Sequence, residues 1–365
     1  MTLAASTSRQ IKVAAARDLG PMFVNNSHCM IGQDGAFSIP LKPGRTLWFF
    51  GDTLIGQRIP GQSLWYRDGQ PVGHADMSGK GQIDRMINNT GLILNHRTGA
   101  GSLDDFQYIC TEDGQLRPLI PLEADEDPDW DRIWCQHGIR LDDKVILSFI
   151  KVRMLDEPGP FPVNFEIVGS GLAVGSQRDW QFRRIERSGD SILWKAAEPH
   201  FATAFFAEDA FVYLYGTVKT GATHHAYLAR AARDAIERIA GYEYLISPAP
   251  AWSRNLSDAI PLFDGMPSEL SVSFHRFLNS YLAVHSLDLT GRIVARTAPN
   301  PWGPFSAPVE LWQAKAELPA ELDYMRLIYA GKEHPELAGD GGRVLYLTYI
   351  EFEEYFPHLV EVTLQ

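Results

Sequence analysis

Punctuation governs what this chain can become. Short runs rich in aromatic and β-branched residues recur along all 365 residues, each cut off by Gly, Pro, Asn or Asp. Branched and aromatic side chains suit a pleated sheet, and the punctuating residues supply turns, so the rhythm reads as many short strands. "TGLILN", "DKVILSFIKVRM", "AFVYLYGTV", "SYLAVHSL" and "RVLYLTYI" are examples. Only "ARAARDAIERIAG" reads as helical, and it is brief. The expectation is an all-β chain.

The clearest local unit is "AFSIPLKPGRTLWFFGDT", two strand-like runs around Lys42-Pro43-Gly44-Arg45. Pro43-Gly44 suits a type II turn, so the unit reads as a hairpin. The runs gather into groups at roughly 33–110, 130–185, 200–250, 265–312 and 325–363. Each group has the size of one four-stranded antiparallel sheet, the unit of a propeller blade. The expected architecture is therefore a five-bladed β-propeller of four-stranded antiparallel blades, forming a single domain over residues 1–365. A flexible start of roughly 14 residues is expected. The early "IKVAAA" and the final "HLVEVTL" are both available to complete one shared blade. No crisp repeat unites the groups, which leaves six blades or two stacked sandwiches as alternatives.

Composition narrows the function. With 33 Lys and Arg against 45 Asp and Glu, the net charge is −12, which argues against nucleic acid or an anionic membrane as partner. No apolar run has the length of a transmembrane helix. The first twenty residues lack the apolar stretch of a secretory signal, so a cytoplasmic location is the expectation. Cys29, Cys110 and Cys135 lack metal-ligand spacing and read as reduced, mostly packed thiols rather than a disulfide frame.

Asp34 and Asp52 stand at the two open ends of the hairpin. A plain two-residue loop would put Asp34 opposite Thr53, whereas one bulged residue makes it face Asp52. Directly opposed side chains have Cβ atoms about 4.5–5.5 Å apart. At that distance two carboxylates repel, one binds its proton more tightly, and the pair can divide acid from base or nucleophile. The competing reading is that each Asp merely ends a strand and caps a turn. A third acid, Glu269, stands where a strand begins in "GMPSELSVSFH", and it reads either as aimed into a central pocket or as an exposed strand-edge residue. Asn88, Asn89, His137, Arg296, Tyr329 and His334 occupy similar strand-end places. Each read alone is a structural polar residue. Read together, they are candidates for binding sugar hydroxyls and sugar faces. Walker A, zinc-protease and nucleophile-elbow patterns are missing.

Five segments, "GQDGAFSIPLKPGRTLWFFGDT", "YLYGT…AYLARAARDAIERIAGYEYL", "SELSVSFHRFLNSYLAVHS", "ARTAPNPWGPFSAPVELW" and "LYLTYIEFEEYFPHLVEV", resemble a family of five-bladed β-propeller proteins that includes endo-D-arabinanases (glycoside hydrolase family 183). The resemblance runs from about residue 15 to the C-terminus, and extends in architecture to arabinanase, invertase and anhydrogalactosidase propellers. It implies an active site in the central pocket, with paired Asp residues that match Asp34 and Asp52, and it supports Glu269 as an inner-strand acid. It also implies a glycoside hydrolase acting on a furanoside, an arabinan-like glycan or an oligosaccharide, with no cofactor, no metal in the chemistry, and room for a structural cation on the axis. The resemblance implies export too, since the family's characterised glycan-degrading members tend to be exported. The lack of a signal here points toward an oligosaccharide or another export route. The rival readings are a non-catalytic carbohydrate-binding propeller and a protein-interaction propeller.

Overall fold

At the Pro43-Gly44 turn, Gly44 adopts a φ of 71°, which the third residue of a type II turn requires and a side chain there would resist. In the computed structural model, which describes residues 9–68, 70–72, 77–96, 103–156, 163–315 and 327–365, this turn joins strands Phe37–Lys42 and Arg45–Phe49. The pairing runs Phe37 to Phe49, Ser38 to Trp48 and Pro40 to Thr46, then shifts by one residue before Lys42 meets Arg45. Leu41 is the extra residue, and this bulge fixes which side chains face each other at the hairpin's open end.

The chain is all-β, with short 3-10 turns as its helical elements among the described residues. Among the described residues, five antiparallel sheets of at least four strands follow one another. The first is ordered Phe106–Tyr108, Gly91–Asn95, Arg45–Phe49, Phe37–Lys42. The second runs Asp131–Leu141, Lys144–Met154, Phe165–Ser176, Phe182–Arg184. The third begins with His200–Glu208, Phe211–Thr220 and Thr223–Ala232, and the fourth runs Leu270–His275, Ser280–Ser286, Arg292–Ala298, Val309–Gln313. The fifth pairs Ile328–Glu333, Val344–Glu351 and Pro357–Leu364 with Val13–Pro21, so both chain ends share one sheet. A three-stranded sheet, Met30–Gln33, Thr53–Gly56 and Ile83–Ile87, extends the hairpin beyond Asp34 and Asp52.

The core lies between neighbouring sheets. Phe37, Leu47 and Phe49 of the first pack on Ile133, Leu147 and Phe149 of the second. Leu172 and Trp194 of the second meet Phe201 and Leu214 of the third. Val284 and Ile293 of the fourth meet Leu347 and Val360 of the fifth. Each such side chain contributes about 1.5–3 kcal/mol on burial. Polar links tie neighbouring sheets together. The Phe205 N–H donates to His137 Nδ1 at 3.2 Å, the Glu333 N–H donates to Ser271 Oγ at 2.9 Å, and Lys332 donates to Gly35 O.

The expected helix in "ARAARDAIERIAG" does not form. Strand Thr223–Ala232 takes in its first four residues, because Ala229 and Ala231 alternate into the core. Two 3-10 turns, Arg233–Ala235 and Ile239–Gly241, take up the rest.

Candidate active site

The bulge at Leu41 sets the register that continues to Gln33 opposite Thr53, and it leaves Asp34 and Asp52 as direct neighbours across the hairpin. The Asp34 N–H donates to Asp52 O at 3.3 Å, and the Gly51 N–H donates to Asp34 O at 3.0 Å. Gly51 is itself required. A Cβ at that position would lie 2.4 Å from Asp34 Oδ1, so any side chain would displace the carboxylate. The sequence "FFGDT" thus ends a buried aromatic strand with the one residue that lets Asp34 lie across it.

Asp34 and Asp52 line a cavity of about 360 Å³ together with Glu269, Tyr329 and Tyr355. Tyr329 reaches Asp34 from the fifth sheet and donates its hydroxyl proton to Oδ2 at 2.9 Å. Burial, and then the charge of Asp52, push the Asp34 carboxyl up to about 7, against the opposing pull of the Tyr329 and Tyr355 hydroxyls. Glu269, at the start of Leu270–His275, is also raised by burial, and the Lys332 ammonium pulls it back. Both tyrosines are held well above their ordinary range by burial and by the Asp34 charge.

Lys332 was not anticipated from sequence. It is 2% exposed, lies over the Phe37 ring with Nζ 4.3 Å from its centre, and donates to Gly35 O and to Ala330 O at 3.0 Å. Burial brings its ammonium down to about 7, while Glu269 and Asp34 favour its charged form. Three carboxylates and one ammonium therefore share a poorly solvated space, and a proton can be held at neutral pH where an ordinary carboxylate would have lost it. Gln136, which accepts from Ser268 Oγ at 3.0 Å, and His200, whose Nε2 finds no hydrogen-bond partner among the described residues, add to the polar lining with Thr203 and Thr217.

Among the candidates for binding sugar, Tyr329 lines the cavity and the others are placed elsewhere. Asn89 is fully buried between sheets. It donates to Ile120 O and Ile133 O, both at 2.9 Å, and accepts from the Ile120 N–H at 2.7 Å. Asn88 accepts from the Ile133 N–H at 3.2 Å on the same seam. Arg296 donates to His285 Nε2, Ser306 O and Asp264 O, and its guanidinium lies over Phe263. His334 stacks on Trp48 at 4.3 Å and bonds Ser38 and Thr348. His137 accepts from Phe205 and is pushed down to about 4 by burial, so it is neutral. Polar strand ends between packed sheets need partners as much as a ligand does, and here the fold takes them. Among the described residues no group of three or more His, Cys, Asp or Glu is arranged to hold a metal ion.

No curated protein matches this sequence. Solved structures do. The "putative hydrolase" of Bacteroides ovatus ATCC 8483 is similar with a TM-score of 0.58 at 17% identity, over 95% of this chain and 87% of that one, a likeness of fold. Zg3597, a family 117 glycoside hydrolase of the marine bacterium Zobellia galactanivorans, gives a TM-score of 0.49 at 10% identity over 96% of this chain and 89% of that one. The catalytic domain of the GH62 alpha-L-arabinofuranosidase of Coprinopsis cinerea gives 0.49 at 12% identity over 96% of each chain. The family described as a domain of unknown function, DUF4185, matches residues 5–361, and the chain belongs to that family.

Proposed function

We propose that this protein is a glycoside hydrolase, built as a five-bladed β-propeller, in which Asp34 and Asp52 cleave a furanoside or related glycosidic bond. The observation that carries the reading is the directly opposed carboxylate pair in a cavity, with Asp34 raised to about 7. A purely carbohydrate-binding or scaffolding protein has no use for a carboxyl whose hold on its proton is raised to about 7, and raising it costs stability above that pH. The five successive sheets, with both chain ends in the fifth, support the propeller count.

In this reading Asp34 protonates the leaving glycosidic oxygen, and the Asp52 carboxylate attacks the anomeric carbon. Water then hydrolyses the glycosyl ester while Asp34, now ionised, removes the water's proton. Facing residues on one hairpin favour the short carboxyl separation, about 5–5.5 Å, associated with retention of configuration. If Glu269 instead serves as the acid, the wider separation of about 6.5–9.5 Å and inversion follow. Lys332 stabilises the ionised carboxylates after the proton has left. The similarity to a family containing endo-D-arabinanases supports a furanoside, an arabinan or a derived oligosaccharide as substrate.

The test is turnover of aryl furanosides, aryl pyranosides and arabinan, fructan and galactan oligosaccharides by the wild type, Asp34→Asn and Asp52→Asn. Turnover lost at least a hundredfold in both folded variants supports the pair. Turnover unaffected by either substitution removes it. Proton NMR of the first-formed anomer separates retention from inversion.

A further inference from the structure

The carboxylates occupy a minor part of the cavity. One wall is built by contiguous positions of the second sheet. Trp134 faces Ile150 across one strand pair, Met154 faces Phe165 across the next, and Ile167 follows on the same strand. Trp134 and Phe165 meet edge to face at 4.8 Å. Met77, Met86, Leu327 and Phe352 continue this apolar surface from other segments. At the mouth, Phe165 and Leu289 stand 38% and 49% exposed, apolar area left to water in the free protein.

Such a wall suits a particular substrate. A polysaccharide subsite must pair each buried hydroxyl, because an unpaired one costs most of its hydration. Trp134, Ile150, Met154, Phe165 and Ile167 offer methyl, thioether and ring surface, with one indole N–H between them. Apolar matter entering there releases water from both surfaces, and methionine adapts to its shape. Exposed apolar area gathered at one mouth is also what a ligand groove presents.

We propose that the substrate is a glycoside with an apolar aglycone, an alkyl, prenyl or aryl group, and that the wall of Trp134, Ile150, Met154, Phe165 and Ile167 receives that aglycone while the sugar lies against Asp34 and Asp52. This rests on the glycosidase reading for the sugar's position, but the apolar site itself stands on geometry alone. No new chemistry is added, since the aglycone leaves as an alcohol carrying the proton from Asp34.

Calorimetry with non-hydrolysable methyl and n-octyl thioglycosides of arabinofuranose, galactopyranose and glucopyranose tests it. Each methylene buried tightens binding by about fourfold, so the octyl compound of the preferred sugar should bind at least thirtyfold more tightly than its methyl counterpart. Phe165→Ala and Leu289→Ser, at exposed positions that leave the fold intact, should each reduce that ratio at least threefold without changing the affinity of the methyl compound. Equal affinity of octyl and methyl compounds, no binding of any octyl compound, or an octyl preference untouched by both variants overturns the proposal. Turnover of the n-octyl O-glycoside of the same sugar, whose alkoxide leaving group needs a proton, separates the two claims. If Asp34→Asn leaves that turnover intact, the catalytic reading fails while an octyl preference still supports the apolar site.

Discussion

An Asp34→Asn variant should be more stable than the wild type at pH 8 and no more stable at pH 4.5. The folded protein holds this carboxyl at about 7 against an ordinary value of 3.8. At about 1.4 kcal/mol per tenfold change in proton affinity, that difference amounts to about 4 kcal/mol. The sign follows from the protonation states. Below pH 4 both the folded and the unfolded chain carry the proton, and nothing is lost. Between about 4 and 7 the unfolded chain ionises while the folded one resists, so stability falls as pH rises, and above 7 the full penalty is present. Asparagine does not ionise and still accepts from Tyr329, although its amide protons lack the full set of partners, at about 1–2 kcal/mol. The net gain at pH 8 is about 2–3 kcal/mol. For 365 residues, at about 2.1 cal/mol/K each, this raises Tm by about 3–4 °C. Scanning calorimetry at both pH values reads the difference directly. A Tm shift that is the same at pH 4.5 and 8 would refute the claim that Asp34 is a strained, proton-holding carboxyl, whatever its effect on turnover.

Other consequences can be checked separately. Hydrolysis should fall about tenfold per pH unit above about 7 as Asp34 loses its proton, read from kcat/KM against pH. Tyr329→Phe removes the hydroxyl that favours ionised Asp34, so this alkaline limb should move upward while kcat near its optimum changes less than tenfold. Lys332→Met deprives Glu269 and Asp34 of their ammonium and leaves Gly35 O and Ala330 O without its protons. The alkaline limb should again rise, with kcat down at least tenfold, and rescue by Lys332→Arg is not expected because the buried site fits an ammonium. Asn89→Ala abandons three buried hydrogen bonds to Ile120 and Ile133, costing about 3 kcal/mol and about 4 °C in Tm with kcat unchanged, as thermal melts and assays at 25 °C will show.

Much of the sheet structure was legible because strand signals are local. The alternation in "AFSIPLK", the Pro-Gly turn and the aromatic run before Gly51 lie within twenty residues, and together they name the hairpin and its two acids. Whether those acids face each other turned on a single bulge at Leu41, which no propensity marks. The polar candidates were harder, since Asn89, His334 and Arg296 look the same in sequence whether a ligand or a neighbouring sheet satisfies them. Their partners are 31 to 44 residues away for Asn89 and as many as 296 away for His334. Lys332 was invisible for a related reason, because lysine is ordinarily exposed. One signal was available. It lies in "IYAGKE", where Ala330 and Gly331 leave no bulk beside it, and a Cβ on Gly331 would sit 2.6 Å from Ser286 Oγ, which marks the strand as tightly enclosed. Tyr355, from a turn between two strands of the fifth sheet, had no such cue.

The most direct test of the Asp34–Asp52 pair is a double-mutant cycle on turnover of the best substrate from the glycoside panel, with Asp34→Asn, Asp52→Asn and the double variant assayed at pH 6 and folding verified. If the two carboxylates work as one unit, each single variant loses at least a hundredfold and the double variant loses little more than either. A single variant within tenfold of the wild type, or losses that multiply in the double variant, would contradict a shared catalytic role for the pair.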